Sequence, residues 1–175
     1  VARLGRLDYA LEVEARSIKA GIDDARFPLS VLSACILSGE HETAVEQGKA
    51  LLASSGEWKV SYHRSMLLCL ISAAAFGKGD LELGRLHLKD FLQSKEPPAD
   101  EIHHLAHHFE TLGLPEQERQ VLEFGRDKHP EYRPILEELV RRGLARQDYS
   151  SFPEDLRYML EVRRKNAHLL LECQA

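Results

Sequence analysis

The chain has 175 residues, 43% hydrophobic and 29% charged, with a net charge of −5. That is enough material for one domain or one solenoid with a continuous apolar core. No apolar run reaches the roughly 18–20 residues of a membrane span. The acidic balance opposes non-specific nucleic-acid binding, which depends on Lys and Arg neutralising phosphates.

In chain order, the apolar periodicity predicts helix nearly throughout, with turns at glycines. Asp8 to Ala20 reads as a helix stopped by Gly21, a residue favoured just past a helix end. Pro28 to Ser38 follows, its proline in the first turn where the missing N–H is harmless. After Gly39, Glu42 to Ala53 returns antiparallel, and Ser54-Ser55-Gly56 breaks the chain. Trp58 to Phe76 is apolar around most of its circumference. A helix of that kind is buried between neighbours, so this one is expected at the centre. Asp80 is expected to cap Leu81 to Gln93, and Pro97-Pro98 resembles a linker.

Asp100 to Leu112 makes the cleanest amphipathic wheel. Ile102, Leu105, Ala106 and Phe109 share one arc, and Asp100, His103, His104, His107, His108 and Glu110 share the other. Pro115-Glu116 opens the next helix, which ends before His129-Pro130. Arg133 to Arg142 and Glu154 to Cys173 are expected to form the last pair, the final helix offering its charges as a polar cap.

These elements repeat. Gly5, Gly39, Gly79, Gly113 and Gln147 hold equivalent inter-helix turns, at steps of 34, 40, 34 and 34 residues. A period in this range means stacked helix–turn–helix units. The expected fold is all-α, a right-handed α-solenoid of antiparallel helix pairs, about four and a half repeats in one domain over residues 1–175. The chain opens at Val1 with its first repeat short of a helix, which suggests a piece of a longer protein. Cys35, Cys69 and Cys173 are odd in number and far apart. They read as packed thiols of a reducing compartment such as the cytoplasm rather than a disulfide framework.

The turns carry a family likeness. Gly5 is followed five residues later by Ala10, Gly39 by Ala44 and Gly79 by Gly84, and Pro130 closes a repeat seventeen residues after Gly113. This pattern resembles the tetratricopeptide repeat, whose small residues let two helices cross closely. Glu118 and Phe152 stand where the fourth and fifth repeats should be small, which implies different packing there. The stretch Phe27 to Cys35 with Gly39 and Ala44 is also similar to a pentatricopeptide repeat. That family reads RNA with a small polar residue early in the first helix. The matching positions here are Leu29, Cys69, His103 and Glu137, none suited to the base contact.

The tetratricopeptide resemblance implies a partner groove along the first helices. By the glycine register its wall is Leu29, Ser33, Met66, Cys69, Ala73, Asp100, His103, His107, Glu110, Glu137 and Arg141. The partner-binding set is expected at Met66, Cys69, Asp100, His103, His107, Glu110, Glu137 and Arg141. Leu29, Ser33, Cys69 and Ala73 cannot clamp a terminal carboxylate, so a chaperone-tail receptor is excluded. His103 and His107, four apart, could approach a Zn²⁺ ion with Asp100 or Glu110 as a further ligand. One helix rarely completes such a site, and a partner-facing polar surface is the preferred reading.

No metal and no cofactor are expected. The helix opening at His41-Glu42 has Val45 where a zinc protease needs its second histidine. No nucleophile elbow or phosphate loop occurs. The expected function is a non-enzymatic scaffold holding a peptide or helix of another protein. The alternatives are a pentatricopeptide-like RNA-processing factor and a recruiting segment of a larger enzyme.

Overall fold

The structure is a computed structural model that describes residues 26–54, 61–95 and 97–146, together with Arg16. Its helices are α1 (Arg26–Ser38), α2 (His41–Ser54), α3 (Ser61–Lys78), α4 (Leu81–Leu92), α5 (Ala99–Thr111), α6 (Pro115–Lys128) and α7 (Arg133–Arg146). The expected helices over 8–20 and 154–173, with the Gly5 turn, Phe152 and Cys173, lie outside the described residues.

Each helix boundary has a local cause. Gly39, Gly79 and Gly113 have φ of 86°, 90° and 69°, the left-handed region that L side chains avoid. They turn the chain back within two residues, so α1–α2, α3–α4 and α5–α6 are antiparallel pairs. Asp80 accepts a hydrogen bond from the Leu83 N–H at 3.1 Å, as expected of an N-cap. Pro115 stands in the first turn of α6, where it forfeits no helical hydrogen bond.

The pairs stack into two layers. The first helices, α1, α3, α5 and α7, touch in succession, and behind them lie α2, α4 and α6. The centre is α3, which packs against α1, α2, α4 and α5. Every side chain from Ser65 to Phe76 is buried, Leu67, Ile71 and Ala74 completely. The inner layer also curls, because α1 reaches across α3 to touch α5.

The small residues of the turns sit at close crossings. Ala44 is fully buried. A Cβ on Gly84 would stand 2.8 Å from the Phe76 ring, and Ser72 donates to the Gly84 carbonyl at 2.7 Å. Overpacking such a contact costs typically about 1–3 kcal/mol. We predict that loss for Ala44→Leu and for Gly84→Leu, read from denaturant midpoints. The exposed control Glu46→Leu should stay within about 0.5 kcal/mol of the parent. Midpoints unchanged by both crossing substitutions would contradict this packing.

Candidate functional site

A cleft of about 240 Å³ opens where α1, α3 and α5 meet. Its walls are Leu29, Ser30 and Ser33 from α1, Met66 and Leu70 from α3, and Glu101, His104, Leu105 and His108 from α5. Leu29, Met66, Leu70 and Leu105 make an apolar base, while Ser30 and His104 are exposed at its mouth.

His108 ties the cleft together. Its ring is 6% exposed, which corrects the expectation that it lies on the solvent side of α5 with the other histidines. The reason is the curl of the inner layer, which brings α1 over this face of α5. Nδ1 lies 3.1 Å from the His104 carbonyl, which can only accept, so Nδ1 carries the proton. Nε2 is then the acceptor for the Ser33 hydroxyl at 2.7 Å. Burial, reinforced by His107 and His104, pushes the His108 pKa down to about 4 against the backbone hydrogen bonds.

A serine hydroxyl on a histidine nitrogen also resembles a nucleophile and its base. Ser33 and His108 both sit inside helices, where the neighbouring backbone N–H groups are committed to the helical ladder. They cannot turn to form an oxyanion hole. The pair acts as a strut between α1 and α5.

Of the eight expected partner-binding residues, the cleft contains one, Met66. Cys69 is 1% exposed and Ala73 also 1%, which corrects their place on an open wall. The closure of α1 and α5 over α3 buries them, and burial pushes the Cys69 thiol pKa far up. Asp100, His103, His107, Glu110, Glu137 and Arg141 remain wholly or partly exposed, beside the cleft or beyond it. Several are engaged locally: His107 with Glu110 at 2.8 Å, Glu137 with Arg133 at 2.6 Å, and Arg141 with Glu138.

Three of the missed lining residues share a register. Ser30, Leu70 and His104 each stand nine residues before a turn glycine, where Leu29, Cys69 and His103 stand ten before. One residue is 100° around a helix, enough to leave Cys69 and His103 off the lining that Leu70 and His104 join.

A second cluster joins α5, α6 and α7. Glu110, Glu118 and Glu138 bring carboxylate oxygens within 4.8 Å of one another, a group that includes none of the histidines. The Arg142 guanidinium stands among them, with Nε 3.0 Å from Glu118 and 2.7 Å from Glu138, and Nη2 against Glu110. Chiefly the Arg142 hydrogen bond, helped by His107, holds the Glu110 carboxyl below its usual range. Burial would raise the Glu138 pKa, but Arg141 and Arg142 outweigh it and lower it. Glu118, 2% exposed, occupies the crossing position that is small in earlier repeats. Arg142 from the next helix supplies its counter-charge.

The glycine turns, the small residues at two crossings and the two-layer stack together define an all-α stack of antiparallel helix pairs. No family model matches the chain, and no curated protein matches it. Among solved structures, the chain is similar to two titled as crystal structures of MamA. Each has 14% identity and a TM-score of 0.49 over 94% of this chain, with 92% of one relative and 86% of the other covered.

Two predictions test these contacts. Removing one partner of a buried ion pair costs roughly 3–5 kcal/mol. Arg142→Met should therefore destabilise strongly, and adding Glu118→Met should recover at least half of the loss. A double mutant no more stable than Arg142→Met would contradict the pairing.

The His108 prediction concerns pH. Its pKa, about 4 when folded, lies below the 6.5 of an ordinary histidine, so the unfolded chain binds the proton first. Stability is full above pH 6.5 and falls as pH drops towards 4, by roughly 2 kcal/mol at pH 5 from this residue. His41 and His87, also lowered mainly by burial, add in the same direction. Urea midpoints at pH 7 and pH 5 should fall less in His108→Gln than in the parent. Equal falls would contradict the buried, neutral ring.

Proposed function

We propose that the chain is a non-enzymatic scaffold that holds a segment of another protein on its inner helix layer. The supporting observation is the cleft between α1, α3 and α5, with an apolar base and a polar mouth. Grooves of this kind take amphipathic segments by burying alternate apolar side chains and leaving polar ones at the rim. The wholly or partly exposed residues of α5 and α7, Asp100, His103, His107, Glu110, Glu137 and Arg141, would form the outer part of the contact. Met66 would contribute from the base and Cys69 not at all.

Among the described residues no helix is long and apolar enough to cross a membrane. A net charge of −5 disfavours an RNA partner, whose affinity would come largely from phosphate contacts.

The test is a photo-crosslinking amino acid placed singly at Ser30, His104 or, as a second-layer control, Lys89. The inner positions should capture a polypeptide from lysate and Lys89 should not. Labelled single-stranded RNA should show no appreciable affinity at physiological salt in a polarisation assay. Capture at Lys89 alone, or sequence-selective RNA binding tighter than about 1 μM, would overturn the proposal.

A further inference from the structure

The cleft carries a charge pattern that narrows its partner. Its base is apolar, from Leu29, Met66, Leu70 and Leu105, and its lining holds a single carboxylate, Glu101. Glu101 is half-buried and makes no ion pair among the described residues. Carboxylates further along α5 and on α7 differ in this respect. Glu110 and Glu138 are held by Arg142, and Glu137 by Arg133. The adjacent carboxylate, Asp100, is exposed, so negative charge gathers where α5 begins. No Lys or Arg lines the cleft.

Size narrows the partner further. An apolar cavity of about 150 Å³ accepts a benzene ring, so about 240 Å³ has room for one large side chain and little more. The polar groups of the lining differ in what they offer. The Ser33 hydroxyl is spent on His108, whereas the Glu101 carboxylate, which makes no ion pair, offers acceptors that a cation can fill.

We infer that this cleft is an anchor site for a basic amphipathic segment of a partner protein, taking one Leu, Met or Phe side chain onto the Leu29–Met66–Leu70–Leu105 base while a neighbouring Lys or Arg pairs with Glu101. The inference rests on the proposed protein-binding function and specifies its chemistry. It is the reverse of a carboxylate clamp, because the protein supplies the anion and the partner the cation. Rim charges of this kind set selectivity and association rate, and a like charge placed opposite is strongly disfavoured.

The experiment is selection from a random peptide display library on the full chain, followed by affinity measurement on three proteins. These are the parent, Glu101→Lys, and Ser30→Trp, which places an indole at the cleft mouth from an exposed helix position. Circular dichroism and unfolding midpoints verify that the variants fold. The selected peptides should pair a large apolar residue with Lys or Arg. They should bind Glu101→Lys at least about tenfold more weakly, lose that affinity steeply with salt in the parent, and fail on Ser30→Trp. Enrichment of acidic or uncharged peptides, or peptides bound equally by all three folded proteins, overturns the anchor while leaving a protein-binding face in place. No enrichment at all overturns both the anchor and the proposed function.

Discussion

The arrangement depends on one constraint: α3 is apolar around most of its circumference and is covered on every side from Ser65 to Phe76. Leu67, Leu68, Ile71, Ala74 and Ala75 are each at most 1% exposed, and no single neighbouring helix can cover so wide a surface. In an open solenoid the second-layer helices cover the back and the adjoining first helices cover the flanks, leaving the inner face to solvent. Here that face would expose Cys69 and Ala73. Burying apolar surface is favourable by about 25 cal/mol per Å², so α1 and α5 lean together above α3. The Ser33–His108 hydrogen bond holds them there, and the cleft is the space left where the two do not quite close.

The far end of the stack solves a different problem. At the crossing of α5 and α6 the chain has Glu118 in place of a small residue. A buried carboxylate is costly unless paired, and Arg142 from α7 meets it together with Glu110 and Glu138. Arg142 thereby ties α7 to α5 and α6 by charge, alongside a close contact in which a Cβ on Gly125 would meet Ile135 and Ile102. Such a cluster gains little over an apolar crossing, but it makes α7 strongly dependent on its partner once Glu118 is present. The same cation occupies the position that a metal ion would need in order to neutralise the three carboxylates.

Much of the fold was legible because it lies in local signals. Glycines with positive φ, the Asp80 cap and the Pro115 start are read directly from residue type, and they place the turns. The central position of α3 followed from its largely apolar surface. The site was harder to read because it depends on how far the layer curls, which is a property of several helices together. The sequence register put Cys69 on the groove wall while the composition of its own helix argued for burial, and burial is the outcome. His108 differs only by context from His104 and His107, and no feature of one helix marks it as the residue that α1 covers. Glu118 was recognised as a departure, but its Arg142 partner, 24 positions on in the sequence, is brought to it by tertiary packing.

The closure of α1 and α5 over α3 is tested most directly by the reactivity of Cys69. Timed alkylation with iodoacetamide, followed by digestion and mass spectrometry, reads that thiol separately from the other two. With Cys69 sealed beneath the inner layer, it should be modified only as fast as the protein unfolds, and its labelling should rise with urea in step with the unfolding transition. Modification of Cys69 in native buffer at the rate of an unstructured thiol would contradict the closure and return this position to an open groove wall.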